Sequence, residues 1–279
     1  MPLRNELALV AARLRLRALQ AALKAKKGHV PPAFSCMELV VSLYHGGLLN
    51  VDAKEPEKRD RDRFILSKGH ACLALYTAMS DCGFFPDEEL DDFAGNGSVL
   101  PGHPDLEIPG VEAISGSLGH GLGLGSGMAL AARMNRENWK TVVVLGDGEC
   151  QEGSIWEAAM FAGQQKLSNL TAIVDYNGLG ATNYMDNVIS MEPFADRWTS
   201  FGWNAIEIDG HDFVAIEQAL TSGLDDRPRA IIAKTTKGKG VDFMENSPKW
   251  HHALPQGEQV EEAISQLQSK IDALTDLSE

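Results

Sequence analysis

The stretches VVVLGDG (residues 142–148) and LTAIVDYN (residues 170–177) decide the fold of this chain. Each begins with a short, almost wholly apolar run, which is typical of a parallel strand covered by helices on both faces. Residues 156–167 between them have a helical pattern. The two stretches therefore predict a strand, helix, strand unit.

The same alternation continues toward the C-terminus. Residues 204–208 and 230–234 are further strand candidates, and residues 213–220 between them have a helical pattern. Repeated alternation of strands and helices predicts an α/β fold with an open, mostly parallel sheet and helices on both faces.

Helical patterns occur at both ends of the chain. We expect helices over residues 3–27 and 35–45, with His29 opening a loop between them. Residues 258–277 predict a C-terminal amphipathic helix, whose apolar stripe consists of Val260, Ile264, Leu267, Ile271 and Leu274. We expect residues 1–279 to form a single domain, because one large α/β unit accounts for this length.

Composition excludes several classes of function. The chain has 279 residues and a formal net charge of −14, so nucleic acid and anionic membrane surfaces would repel it. Arginines interrupt the apolar N-terminal segment, which disfavours a secretory signal or a membrane span. The irregularly spaced cysteines fit neither a disulfide framework nor a zinc site, and we expect reduced thiols in a cytoplasmic protein: Cys36, Cys72, Cys82 and Cys150.

Two polar side chains follow the two decisive strands. Asp147 comes directly after the first strand and Asn177 directly after the second. The carboxyl ends of neighbouring parallel strands meet at one edge of a sheet, where ligands bind. Gly146 and Gly148 leave room for a phosphate at the start of the next helix. The oxygen ligands favour Mg²⁺, with Ca²⁺ or Mn²⁺ as alternatives, over zinc.

Two other interpretations of these residues are disfavoured. Asp147 could merely cap a helix and Asn177 could merely form a turn, but their joint spacing disfavours this. A dinucleotide site is disfavoured as well, since the glycine-rich stretch near residue 120 lacks the G-x-G-x-x-G spacing.

The segment from Gly146 to Asn177 resembles the motif of thiamine-diphosphate enzymes, in which Gly-Asp-Gly is followed about thirty residues later by Asn. The resemblance implies a thiamine-diphosphate-binding fold, with thiamine diphosphate and Mg²⁺ as cofactors. It also implies that the metal is bound by Asp147, Asn177 and the backbone carbonyl of Leu179, next to Gly146 and Gly148.

Further segments, over residues 5–260, resemble transketolases in particular. They are Gly28-His29 with Ser35, SKGH at 67–70, PGHP at 101–104, GSLG at 116–119, the region 234–240 and WHH at 250–252. The resemblance implies that the backbone of Gly116 and Leu118 contacts the aminopyrimidine of the cofactor.

The same resemblance assigns roles to four histidines, which would lie in the substrate channel and near the diphosphate: His29, His70, His103 and His251. His70 and His251 would also contact the cofactor. Imidazole suits this task, because ketol transfer requires proton transfers near neutral pH. The sequence does not separate His251 from His252, although His251 follows Trp250 directly and is preferred.

Glu152 resembles the family's glutamate near the cofactor and the subunit boundary, and an acid that stabilises a helix N-terminus is an equal alternative. Three positions depart from the family pattern: Val30-Pro31-Pro32 after His29, His120, and Gly180 after Leu179. They leave the natural substrate open, with sugar phosphates as the default donor and acceptor.

The resemblance implies a transketolase subunit that transfers a two-carbon ketol unit through thiamine diphosphate. The alternatives are another thiamine-diphosphate enzyme, such as a 2-oxo-acid dehydrogenase component or a specialised acyl or ketol transferase, and a non-catalytic relative. The matched motifs end about twenty residues before Glu279, so we expect a separate partner subunit with the pyrimidine-binding domain. A helix face with Gly119, Gly123 and Gly127 would suit subunit contact, and two chains of each kind would assemble.

Overall fold

A parallel sheet of five strands forms the centre of the protein in a computed structural model that describes residues 4–223 and 225–277. The strands lie in the order β1-β2-β3-β5-β4, and every neighbouring pair is parallel. Their bounds are β1 Arg63–Leu66, β2 Thr141–Gly146, β3 Leu170–Tyr176, β4 Asn204–Asp209 and β5 Arg229–Lys234. The predicted open parallel sheet is confirmed.

Nine α-helices occur in the described part of the chain. They are α1 Arg4–Ala25, α2 Val30–Ser35, α3 Met37–Tyr44, α4 Cys72–Asp81, α5 Gly121–Asn135, α6 Gly153–Gln164, α7 Phe194–Ser200, α8 Phe213–Thr221 and α9 Glu258–Asp276. Apolar side chains on one face of the sheet share a hydrophobic core with α1–α4, α8 and α9. The opposite face packs against α5, α6 and α7.

The strands are buried on both faces, as their apolar runs predict. In β2, Val142 and Val144 contact one helical layer, whereas Val143 and Leu145 contact the other. Such alternation follows from the two-residue period of a strand. Because both faces are covered, the polar groups that bind ligands must lie at the strand ends.

The register brings the two polar strand ends together. Gly146, the last residue of β2, pairs with Asp175 near the end of β3. Asp147 and Asn177 therefore follow adjacent strands at the same edge of the sheet.

The C-terminal helix α9 lies against α1. Ala263, Leu267 and Leu274 are buried on its inner side, and the other residues of the apolar stripe are partly buried. None of the helices that the structure describes is long and apolar enough to cross a membrane.

Two elements differ from the sequence expectation. Residues 30–35 form the helix α2 instead of a loop after His29. Its prolines occupy the first turn, where a missing N–H costs no hydrogen bond. The strand β1 was not predicted, because Arg63–Leu66 is a four-residue edge strand whose pairing with β2 does not leave a clear sequence pattern.

One member of the expected glycine face lies outside α5. Gly119 lies before the helix, with a positive φ of 87°. The close approach occurs at Gly125, where a Cβ atom would lie 2.5 Å from the Val143 side chain on β2. Gly123 and Gly127 instead face open space.

Gly163 lets α6 pack directly against the chain that follows α7. A Cβ atom at Gly163 would lie 1.8 Å from the carbonyl oxygen of Phe201. We expect Gly163→Ala to lower the free energy of unfolding by about 1–3 kcal/mol, because the backbone must move to relieve the overlap. Urea denaturation measures the change.

Gly127→Ala in α5 is the matched control, since nothing lies within 4 Å of its added Cβ. Alanine there should leave stability unchanged or raise it by up to about 1 kcal/mol. Equal effects of the two substitutions would contradict the packing assigned to Gly163.

Candidate functional site

A cleft of about 450 Å³ opens at the carboxyl ends of β2 and β3. This volume is within the range of small-molecule and cofactor sites. The cleft is lined by eleven of the candidate residues: His29, His70, His103, Gly116, Leu118, Gly146, Asp147, Gly148, Asn177, Leu179 and His251. Residues spread over more than two hundred positions in the sequence thus share one cavity.

Asp147 is a buried carboxylate that backbone N–H groups hold in place. Its two oxygens accept hydrogen bonds from the amides of Gly148, at 2.8 Å, and Gly178, at 2.6 Å. Burial raises the pKa of Asp147 to about 6, with a further contribution from Asp175, and the backbone hydrogen bonds oppose the rise. A nearby cation would stabilise the ionised form of this carboxylate.

Asn177 and Leu179 add two neutral oxygens to the same wall. The side-chain oxygen of Asn177 accepts a hydrogen bond from the amide of Leu179 at 3.1 Å, which fixes the turn after β3. The carbonyl oxygen of Leu179 accepts a hydrogen bond from the buried Lys237 ammonium, also at 3.1 Å. Carboxylate, amide and carbonyl oxygens are the ligands that Mg²⁺ prefers, so this set fits that ion.

A buried ion pair lies beneath the cleft. Asp175, at the end of β3, contacts the Lys68 ammonium and accepts hydrogen bonds from the hydroxyls of Ser35 and Thr235. Burial acts to raise the pKa of Asp175, but Lys68 and the two hydroxyls hold it below its usual value. Sequence reasoning assigned no role to these residues. Their signal was a charged residue ending an apolar strand and a lysine within the SKGH segment.

Glu149 is a second group that the sequence did not identify. Its buried carboxylate accepts hydrogen bonds from the Ser67 hydroxyl and from the amides of Gly119, at 2.9 Å, and Gly146, at 3.0 Å. Burial raises the pKa of Glu149. This one side chain joins the segment after β1, the glycine-rich loop and the end of β2.

Histidines from four segments of the chain meet in the cleft. The ring centroid of His29 lies 5.4 Å from that of His70, 5.5 Å from that of His251 and 6.4 Å from that of His103. Gly116 has a φ of +135°, and a Cβ atom there would lie 3.1 Å from the His103 ring. Glycine is therefore needed at position 116 both for its backbone conformation and for the space it leaves.

These imidazoles are poor proton binders in this environment. Burial lowers the pKa of His29 to about 4, with help from His252, and lowers that of His251 to about 3, with help from Lys237. Burial also lowers the pKa values of His70 and His103. The histidines are thus neutral near pH 7, and each ring nitrogen that lacks a proton can accept a hydrogen bond or a proton.

The structure distinguishes the two histidines that the sequence left open. His251 lines the cleft, and its buried Nδ1 atom has no hydrogen-bond partner among the described residues. His252 is exposed at the mouth of the cleft, with its ring 4.5 Å from that of His29. The geometry favours His251 as the residue that faces a ligand.

Other candidate positions lie around the cleft. Glu152 is exposed at the start of α6 beside Gly119, and it is not among the described residues that line the cleft. Pro32 and Gly180 do line it, whereas His120 lies outside, in a groove between α5 and α6. Two of the three departures from the family pattern therefore shape the cavity.

The four cysteines of the chain are free thiols. Cys36, Cys72 and Cys150 are buried, and Cys82 is partly exposed. Burial raises the pKa values of the three buried thiols, so they are poor nucleophiles.

We expect Lys68→Met to lower the free energy of unfolding by about 3–5 kcal/mol, because it leaves the Asp175 charge buried without a counter-ion. Adding Asp175→Asn should recover part of the loss. The control is Lys166→Met, which removes an exposed ion pair to Asp226 and should change stability by less than about 1 kcal/mol. Similar losses for Lys68→Met and Lys166→Met in urea denaturation would refute the assigned role.

Comparison with known proteins reveals a family match over most of the chain. The sequence model described as "Transketolase, thiamine diphosphate binding domain" matches residues 7–272. One subunit of the apulose-4-phosphate transketolase of Phocaeicola vulgatus is 43% identical over 262 residues, covering 93% of each chain. One subunit of the 6-deoxy-6-sulfo-D-fructose transketolase of a Clostridium species is 38% identical, covering 87% of this chain and 89% of the relative.

Solved structures give the same result at the level of the fold. A crystal structure of the transketolase from Campylobacter jejuni superposes with a TM-score of 0.89 and 29% identity, covering 98% of this chain. The match covers only 46% of that transketolase, so the chain spans about half its length.

Proposed function

This chain belongs to the transketolase family through the thiamine-diphosphate-binding domain, and we propose that it is one subunit of a split transketolase. The enzyme would transfer a two-carbon ketol unit from a ketose to an aldose. The observation that carries the proposal is the cleft, where the oxygens of Asp147, Asn177 and Leu179 face a group of neutral histidines. The alternative function, that of a 2-oxo-acid dehydrogenase component, does not account for this group of histidines.

Mg²⁺ would be held by Asp147, Asn177 and the carbonyl of Leu179, and the diphosphate would lie beside Gly146, Gly148, His70 and His251. Lys237 must change its contacts in this arrangement. Its ammonium donates to the carbonyls of Leu179 and Gly180. An ammonium and a divalent cation on one carbonyl oxygen would repel each other, so Lys237 would leave Leu179 when the metal binds. It would then be free to pair with the diphosphate.

The histidines would take part in proton transfer to and from the substrates. When bound, thiamine diphosphate supplies the carbon nucleophile that carries the two-carbon unit. His29 and His103 both line the cleft, with ring centroids 6.4 Å apart, and both have lowered pKa values. Each is neutral near pH 7, so it can accept a hydrogen bond from a sugar hydroxyl, and a proton that it takes up in the reaction is readily returned to a carbonyl oxygen. The backbone of Gly116 and Leu118 would orient the aminopyrimidine at the other end.

The substrates would be sugars that carry an anionic group. Two relatives are named for apulose-4-phosphate and for 6-deoxy-6-sulfo-D-fructose, which have a phosphate and a sulfonate respectively. Pro32 and Gly180 line the cleft at positions that depart from the family pattern. We therefore propose a sugar phosphate as both donor and acceptor. Pro32 and Gly180 would favour a specialised sugar as the alternative substrate.

A second polypeptide would complete the active site with a pyrimidine-binding domain. The relatives that match along nearly their full length are named as subunits, and this chain spans about half of a solved transketolase. A groove between α5 and α6 is lined by Gly123 and Phe161, and the neighbouring Leu124 and Met160 are exposed. Exposed apolar side chains of this kind often mark subunit contacts. Two chains of each type in a cytoplasmic heterotetramer complete the proposal.

We expect Asp147→Ala to abolish joint binding of Mg²⁺ and thiamine diphosphate, because it removes the one anionic ligand from the oxygen set. Isothermal titration calorimetry of the chain with cofactor and Mg²⁺ measures this. Asp196→Ala, an exposed acid in α7, is the matched control and should bind like the parent. Cofactor binding by Asp147→Ala within about twofold of the parent would show that the site is misassigned.

The purified chain should lack ketol transfer activity with excess Mg²⁺ and thiamine diphosphate, and it should gain activity when its partner is added. The reason is that the pyrimidine-binding domain, which completes the cofactor site, is expected on the partner. A coupled ketol-transfer assay with each polypeptide by itself and with the mixture makes the comparison. Robust turnover by this chain without its partner would disprove the split-enzyme proposal.

A further inference from the structure

Three histidines lie close together at the mouth of the cleft. Proton transfer to a sugar does not require such close spacing of three rings. One nitrogen from each of His29, His251 and His252 lies within 4.8 Å of the other two. The ring centroids of His29 and His252 are 4.5 Å apart, and those of His251 and His252 are 4.6 Å apart. In the described part of the chain, this is the one group of at least three such side chains with that spacing.

The spacing is close to that of a transition-metal site. Tetrahedral zinc with Zn–N bonds of about 2.05 Å places two ligand nitrogens ~3.4 Å apart. The imidazoles would therefore approach each other by on the order of 1 Å. His252 is exposed and can rotate to make this movement.

A second observation points to a ligand at this place. The Nδ1 atom of His251 is buried and has no hydrogen-bond partner among the described residues. Buried polar atoms are nearly always paired in folded proteins, so an unpaired nitrogen in a cavity wall marks a missing partner. A metal ion, or a donor on a bound ligand, satisfies such an atom.

The cluster differs in chemistry from the oxygen set at Asp147. Three imidazole nitrogens suit Zn²⁺, Ni²⁺, Co²⁺ or Cu²⁺, whereas Mg²⁺ prefers carboxylate and carbonyl oxygens. Lys237 acts on both His29 and His251, but its ammonium is directed at the carbonyls of Leu179 and Gly180. The three imidazoles and the oxygen set at Asp147 can thus select different cations.

We propose that His29, His251 and His252 form a second metal site, which takes Zn²⁺ or a similar transition-metal ion and rejects Mg²⁺. The three histidines leave the fourth tetrahedral position open to water or to an anionic group. Resting on the proposed function, the consequence is inhibition: the bound ion occupies His29, which is assigned to the sugar, and His251, which is assigned to the diphosphate. It therefore competes with the sugar and with the cofactor.

Co²⁺ is the probe for binding, because its visible absorption reports tetrahedral coordination. We expect the full chain, saturated with Mg²⁺, to bind one Co²⁺ with a tetrahedral spectrum, and Zn²⁺ to displace it. His252→Ala should weaken Co²⁺ binding about tenfold or more. Loss of a residue that only hydrogen-bonds to a metal ligand already weakens metal binding by that factor. His252→Gln is a second variant that retains side-chain bulk. His120→Ala, at an exposed histidine outside the cleft, is the matched control.

Equal Co²⁺ affinity in the parent and both His252 variants would overturn the proposal. So would loss of Co²⁺ binding in Asp147→Ala with retention in His252→Ala, which would assign the ion to the oxygen set. This measurement needs no turnover, so its failure is distinct from a failure of the transketolase proposal. In the assembled enzyme, Zn²⁺ should inhibit the parent in competition with the sugar, and His252→Ala should need about tenfold more Zn²⁺. The same Zn²⁺ sensitivity in both would also contradict the proposal.

Discussion

The buried ion pair between Lys68 and Asp175 is the interaction on which the cleft depends. It joins the end of β3 to the segment after β1, and the hydroxyls of Ser35 and Thr235 bring α2 and the segment after β5 to the same carboxylate. Charges this deeply buried are tolerated only when they are paired and hydrogen-bonded. Four separate segments must therefore be in place before the ligand-binding wall can form, and that requirement fixes the positions of Asp147 and Asn177 above them.

The electrostatics of the cleft divide it into two parts. At one end, Asp147 and two neutral oxygens favour a hard divalent cation, and Lys237 provides a positive charge close to where a diphosphate would lie. In the other part, burial keeps the histidines neutral, so each has a ring nitrogen that can accept a hydrogen bond from a sugar hydroxyl. The fold creates this division because parallel strands end at one edge, while the histidines come from loops that surround that edge.

The sequence predicted the parts of the structure that depend on local pattern. Apolar runs identified β2 and β3, and the polar residues that end them identified Asp147 and Asn177. It did not identify the partner of Asp175, because Lys68 is 107 positions away and only the folded chain joins them. It missed β1 for the same reason, since pairing with β2 defines that short strand.

The contacts of the glycines in α5 could be predicted from the sequence only in part. The sequence indicated a subunit contact at Gly123 and Gly127 but did not identify the close contacts within the chain, because glycines at spacing four occur on two sides of α5. Gly121 and Gly125 face the segment after β1 and the sheet, whereas Gly123 and Gly127 face outward. Only the packing of α5 against the sheet decides which set is inside. Likewise, the sequence motif contains both His251 and His252, and only their burial in the structure shows which one lines the cleft.

The central claim is that Asp147, Asn177 and Leu179 hold a divalent metal on the diphosphate of the cofactor. Crystals of the chain grown with thiamine diphosphate and Mn²⁺, examined by anomalous diffraction, test it most directly. The account predicts an anomalous peak between the Asp147 carboxylate, the Asn177 side-chain oxygen and the Leu179 carbonyl, with Lys237 turned away from that carbonyl. A cofactor-bound Mn²⁺ located elsewhere, with Lys237 still bonded to Leu179, would contradict it.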